Sequence, residues 1–321
     1  EHNSSISMVK NENYWNGMPH LDTIYVKTIT DGDTMTMAMQ SGELDAAYGL
    51  PYASLPLFEN DPYTISSCET SRSFFAQMNY AAEALQDDNV RAAIASAIDK
   101  ENFTSVLLDG NGEAAVGPFP ESFTFGDTTV TAETYDPVKA KELLKNAGWT
   151  DTDGDGYVDK NGQKLTIRWV TYPSRQELPL LAESVQATMK DIGIDIQVNS
   201  TANYQDYLDK GDWDIFAGAF VSAPTGDPEY FFTTHCLDSS TKNRGGYHSD
   251  ALEALEKQMA VTFDPTERAS LATQMTQTIL DDHAFVFASH LKMSMVSGKG
   301  VSGLVAHPSD YYEITVDLDK K

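Results

Sequence analysis

Apolar and polar residues alternate from Thr23 to Ile29, which places Ile24 and Val26 on one face of a strand. Asp33 then stands where a short helix through Met39 takes its N-cap, Gly42 where that helix stops, and Leu44–Tyr48 begins another strand. Strand, helix and returning strand make an α/β unit, but one with too little apolar surface to stand alone. Tyr63–Asn79 reads as mainly extended, with Phe74, Phe75 and Met78 apolar. Beyond it Val90, Ile94 and Ile98 recur at every fourth position, the stripe of a helix that Gly110 and Gly112 end.

Downstream, the period switches repeatedly between helix and strand. Asp136 and Pro137 supply an N-cap and first turn for a helix through Ala147, closed by Gly148. Leu165–Tyr172, a helix over Pro179–Ile192 and Ile194–Val198 form a βαβ unit, the helix carrying Leu181, Val185, Met189 and Ile192 on one side. Such a unit predicts parallel neighbours in a covered sheet. Trp213–Val221 adds an apolar strand, Asp264, Pro265 and Glu267 start a helix through Leu280, and Phe285–Ala288 is extended again.

Composition changes this picture in two respects. The chain has 321 residues and is 41% hydrophobic, enough for one large or two ordinary domains. Its net charge of −26 argues against nucleic acid or an anionic membrane surface as partner. No apolar run reaches the roughly 18 to 20 residues of a membrane helix, and no charged-then-apolar signal segment opens the sequence. Cys68 and Cys236 are too few for a disulfide scaffold and have no metal-ligand spacing; one disulfide or two buried thiols both fit.

Three segments together resemble the family 5 extracellular solute-binding proteins, the peptide- and nickel-type receptors of ABC importers. The first runs from Asn11, Asn13, Tyr14 and Trp15 through Pro19, Leu21 and Asp22 to Ser41, Gly42, Glu43, Leu44 and Asp45. The second contains Asn79, Asp88, Val90, Arg91, Ala93, Ile94, Ala97, Ile98, Asp99 and Lys100, followed by Gly110, Gly117, Pro118 and Pro120. The third spans Tyr135, Asp136, Pro137, Lys139, Ala140, Leu143, Leu144, Ala147, Gly148 and Trp149. In the family the first segment lies deep inside the chain, so this sequence is expected to represent the C-terminal portion of a receptor. Arg91 and Asp99 are read as structural pairing on a helix rather than as catalytic groups.

The resemblance implies an α/β fold of the type II periplasmic-binding-protein kind (cluster C), present as a complete second lobe plus the C-terminal remnant of lobe I. Residues 1–70 would belong to lobe I, 71–288 to the second lobe and 289–321 to the return to lobe I, with crossing segments near Ser71–Gln77 and Ser289–Val296. The implied function is capture of a short peptide or a chelated metal such as nickel, by closure of two lobes, and delivery to an ABC permease in the membrane. Sensing through the same closure is a further possibility. An extracellular or periplasmic location follows, with a lipoprotein anchor in the full-length form.

Candidate chemistry is sparse. Asp151, Asp153, Asp155, Gly156 and Asp159 fall at positions 1, 3, 5, 6 and 9 of a calcium loop, but Gly162 stands where the bidentate glutamate belongs. The bland reading is an acidic hairpin turn; the functional one is a secreted calcium-binding enzyme or adhesion module built on Asp151–Asp159. There is no H-E-x-x-H, G-x-S-x-G or G-x-x-x-x-G-K-[ST], and Ser239–Lys242 fits S-x-x-K without its partner motifs. The histidines at 2, 20, 235, 248, 283, 290 and 307 have no zinc spacing. No cofactor is required, and no enzyme is indicated.

Solute contacts are expected in the segment after the Trp213 strand, GAFVSAPTGDPEYFFTTHC. Pro224, Gly226 and Pro228 force a loop at the carboxyl end of a strand, the position that borders ligand crevices in open α/β sheets. Phe220, Val221, Ser222, Thr225, Tyr230 and His235, with Arg72, are the candidate ligand-binding residues. Phe231 and Phe232 read chiefly as core. The nickel-type receptors place a tryptophan and a tyrosine in the equivalent loop; here Phe220 or Val221 and Thr225 or Gly226 stand near those positions.

Overall fold

The structure, a computed structural model, describes residues 4–321, so His2 lies outside the described residues. Two compact units are present, one gathering the chain up to Thr70 together with Lys292–Lys321, the other formed by Ser71–Leu291.

In the first unit, β1 (Ser5–Val9) pairs antiparallel with β2 (Thr23–Lys27), and α1 (Gly32–Gln40) leads to β3 (Ala46–Tyr48). The cap of α1 is Asp31, whose carboxylate accepts from the Thr34 amide at 2.7 Å, not Asp33 as the sequence suggested. Asp33 is already inside the first turn, where its charge favours the helix dipole but its side chain cannot reach back over the free N–H groups. Trp15, Ile6, Val9, Met18 and Tyr25 stay exposed. The 15-residue strand β4 (Thr64–Met78) then carries the chain into the second unit.

There the single helix expected from the Val90–Ile98 stripe, ended by Gly110 and Gly112, is broken. Helix α2 (Asp88–Ser96), capped by Asp87, ends at Ala97; Asp99 caps a new turn, α3 (Lys100–Asn102), and a wider turn over Phe103–Leu107 follows. Apolar spacing carries across such a break unchanged, whereas the Asp99 side chain, accepting from the Asn102 amide at 3.0 Å, offers the backbone an alternative partner. Arg91 is buried, bonded to the carbonyl of Leu85, paired with Asp88 and lying over the Tyr80 ring: a structural role, as expected.

The remaining elements are β5 (Gly112–Ala114), α4 (Pro137–Asn146), β6 (Asp159–Lys160), β7 (Gln163–Lys164), β8 (Thr166–Thr171), α5 (Glu177–Asp191), β9 (Asp195–Ser200), α6 (Tyr204–Lys210), β10 (Ile215–Val221), α7 (Glu229–His235), α8 (Asp250–Met259), α9 (Pro265–Asp281) and β11 (Phe285–Ser297). Caps follow the sequence signals closely: Asp136 accepts from Val138 and Lys139, and Asp264 from Thr266 and Glu267. Within this unit the strands run in the order β11-β4-β10-β8-β9, with β5 on β11. The βαβ unit is parallel as expected, Thr166 facing Asp195, whereas β10 meets β4 antiparallel. Strand β11 runs on to Ser297 in the first unit, where Met295–Ser297 pairs with β3 and the chain closes with β12 (Val301–Ser302) against β13 (Asp319–Lys320).

An aromatic cluster forms the core of the second unit. Phe75, Phe119, Phe231, Phe232, Phe285 and Phe287 pack together at 2% exposure or less, several edge to face. Cys236 is buried in the same cluster, and both it and the half-buried Cys68 are free thiols.

Candidate functional site

Strand β10 presents one face of the second unit, and its alternation decides what that face holds. Phe216, Gly218 and Phe220 share a side, and the antiparallel register sets Gln77, Phe75 and Ser73 directly beside them. Phe220 is half-buried, stacked on Tyr230 of α7 with centroids 5.3 Å apart, and touches the His235 ring at 4.3 Å. His235 is only 4% exposed and stacks on Phe231 at 4.9 Å. Burial first, and then the nearby Lys242 charge, pushes the His235 imidazole down to about 3, so it is neutral at physiological pH. Three of the predicted residues, Phe220, Tyr230 and His235, are thus brought together, with His235 as the buried support and Tyr230 as the exposed rim.

The others are placed differently. Val221 is buried, and Ser222 is fully enclosed, both its amide and its hydroxyl donating to the Ser71 carbonyl at 2.8 and 3.0 Å. Its polar groups therefore hold the end of β10 against β4. Thr225 is exposed in the turn after the strand. Arg72 sits opposite Val221, on the sheet face turned away from Phe220. Phe231 and Phe232 are fully buried core.

Further groups on this face were not among the sequence candidates. Tyr204 stacks on the buried Phe216 at 5.5 Å, and Tyr172 packs tilted against Tyr204 at 4.8 Å, which extends the aromatic cluster along the sheet. Above it runs the loop after α7, held down by the Gln77 side-chain amide donating to the Lys242 carbonyl at 3.2 Å. It carries Lys242, whose ammonium lies 4.2 Å from the Phe220 centroid, and Arg244, whose guanidinium lies 5.5 Å from that of Phe216. Burial, then Arg244, holds the Lys242 ammonium below its usual range. A tyrosine directly after β8, another at the start of α6 and a Lys-x-Arg pair in a chain with 22 basic against 48 acidic side chains were the available signal.

The acidic loop is a different object. Carboxylate oxygens of Asp151, Asp153 and Asp159 lie within 4.8 Å of one another, while Asp155 is outside that group. Asp151 accepts from the amides of Gly154 and Gly156, Asp153 from Asp155, Asp155 from Tyr157, and Asp159 from the amide and hydroxyl of Thr152. The residues turn the chain between α4 and the short β6–β7 hairpin, with three of the four carboxylates close enough to face one point together.

Comparison with known proteins places the chain. Residues 1–243 match the family described as "Bacterial extracellular solute-binding proteins, family 5 Middle". The chain is 28% identical over 320 residues to the oligopeptide-binding protein AppA of Bacillus subtilis (strain 168), covering 96% of itself and 58% of that protein. It is 26% identical over 299 residues to the nickel-binding periplasmic protein of Escherichia coli (strain K12), covering 90% of itself and 57% of that protein. It therefore spans less than two thirds of the length of either relative. Its fold matches that of NikA from Staphylococcus aureus in complex with Ni(L-His)2, with a TM-score of 0.86 at 23% identity over 100% of this chain and 67% of that one.

Proposed function

The chain belongs to the bacterial extracellular solute-binding proteins of family 5, and on that premise we propose that it forms part of the receptor of an ABC-type importer, capturing a short peptide or a chelated metal such as nickel for delivery to a membrane permease. The second unit is the complete second lobe in this reading, and the first unit the C-terminal part of lobe I. The protein works outside the cytoplasmic membrane, extracellular or periplasmic, held there by a lipid anchor. It is a receptor rather than an enzyme, with the solute as cargo and no resident cofactor.

The observation that supports this reading best is the aromatic face of β10. Phe220, Tyr230, Tyr204 and Tyr172 make a partly exposed aromatic surface backed by the buried Phe216 and Phe231, the kind of apolar wall with few polar groups that small-solute sites use. His235 is neutral, buried and aromatic-packed, which suits a wall residue and not a proton shuttle.

Thermal unfolding of the full-length protein against di- to pentapeptides and against nickel with L-histidine tests the proposal. A solute at a hundred times its dissociation constant stabilises by about 2.7 kcal/mol, a rise of several degrees. Absence of any shift across both series would overturn it.

A further inference from the structure

The start of α7 is held by one cation of α9. Asp227 caps the helix, its Oδ1 accepting from the Glu229 amide at 2.9 Å, and Arg268 reaches both residues. Its Nε donates to Asp227 Oδ2 at 3.0 Å, its Nη2 to Asp227 Oδ1 and Glu229 Oε2 at 2.7 Å each, and its Nη1 to the carbonyls of Met259 and Thr262 at 2.8 and 2.9 Å. These contacts use all the N–H groups that a guanidinium has. One side chain thus ties together the turn after β10, the start of α7 and the end of α8.

A further carboxyl group faces this joint. Helix α8 packs against both α7 and α9, and it sets Glu256 beside Glu229 and Asp227 from one side and Arg268 from the other, with Glu253 on its own helix. Glu253 is engaged, its Oε1 accepting from the Asp238 amide at 2.9 Å. Glu256 Oε2 is closed off from solvent and has no hydrogen-bond partner, since the nearby cation is saturated and the other neighbours are acids. An ionised carboxylate in that position is costly, the neutral acid much less so. Burial first, and then Glu229, pushes the Glu256 carboxyl up to about 7.

We infer that Glu256 makes this joint proton-sensitive: as the neutral acid it lets α8 close on α7 and hold the turn after β10, and as the carboxylate it opposes Asp227 and Glu229 and loosens the start of α7. The segment so governed, residues 225–235, carries Tyr230 and His235 to the β10 face, so the firmness of that face follows pH whatever the face binds. Because the fold favours the acid form, the contribution of Glu256 is complete below the ordinary value of 4.5 and is lost as pH rises through about 7.

Hydrogen exchange of the whole chain at pH 5 and pH 8, read by mass spectrometry on peptides covering residues 225–235 and corrected for the intrinsic pH dependence of exchange, tests the device. Protection of the wild-type segment is expected to fall about tenfold between the two, less than the full shift would give because Glu256 is only half-buried. Glu256→Gln has the shape of the neutral acid and no proton to lose. It should match the wild type at pH 5 and exceed it about tenfold at pH 8, whereas a merely packing role would lower protection equally at both. Glu267→Gln, in the exposed first turn of α9, should keep the wild-type profile. His235 is present in each of these proteins, so its own titration cancels in the comparison. Wild-type protection that does not change with pH overturns the inference without any variant, and a fall that Glu256→Gln reproduces assigns the effect to another group and overturns it too.

Discussion

The β10 face and the Asp151–Asp159 loop are both crowded with charge, yet their charges are settled in opposite ways. In the loop every aspartate accepts hydrogen bonds from amides or hydroxyls within its own turn, so its negative charge serves local geometry. On the β10 face two cations rest on aromatic rings with no acidic partner among the described residues. Motif spacing drew attention to the first region and none to the second. The contrast is between charge met by hydrogen bonds inside its own turn and charge that lies against aromatic rings.

The largest expected effect tests whether the face stands on a rigid base. Phe231→Ala should cost about 3–5 kcal/mol, since the ring is fully buried among Phe75, Phe119, His235 and Phe287. Thr225→Ala, in the exposed turn beyond, should stay within about 0.5 kcal/mol. Urea denaturation measures both. A cost below about 1 kcal/mol for Phe231→Ala would mean that the face is loosely held and its geometry not preorganised.

An intermediate effect comes from His235. Its imidazole is held down to about 3 in the fold against an ordinary value of 6.5, so the unfolded chain binds the extra proton first as pH falls. Its contribution to stability is therefore full above pH 6.5 and lost as pH falls from there towards 3. The slope approaches about 1.4 kcal/mol per pH unit, giving about 2 kcal/mol between pH 6.5 and 5. His235→Phe should flatten that part of the pH profile; an unchanged profile would show that the imidazole is not sealed beneath Phe220.

Elements that depend on local signals were legible in the sequence. Asp136 with Pro137 and Asp264 with Pro265 fix helix starts within a few residues, and the period change at Leu165–Val198 gave a parallel βαβ unit. The break at Ala97 was not legible, because Ile98 keeps the apolar stripe in phase while the backbone departs from the helix. The same limit applies to the site. Phe220, Tyr230 and His235 lie in one continuous segment and could be found together, whereas Tyr172, Tyr204 and Arg244 reach the same face from separate elements. Only strand register shows that Ser73 faces with Phe220 and Arg72 away from it. Cys68 and Cys236, for which a disulfide and free thiols fitted the sequence equally, are free.

The smallest expected effect concerns the acidic loop. Asp159 accepts from the Thr152 amide and hydroxyl at 2.8 Å, so Asp159→Ala should cost about 1 kcal/mol through the loss of a turn contact. Calcium at millimolar concentration should leave the melting temperature of the wild type unchanged: three jointly available carboxylates, and Gly162 at the place of the bidentate glutamate, fall short of the six to eight oxygens that calcium takes. Differential scanning fluorimetry with and without chelator decides it. A calcium-dependent rise that Asp159→Ala abolishes would show that the loop's carboxylates serve a cation as well as their own turn, and the contrast with the β10 face would then fail.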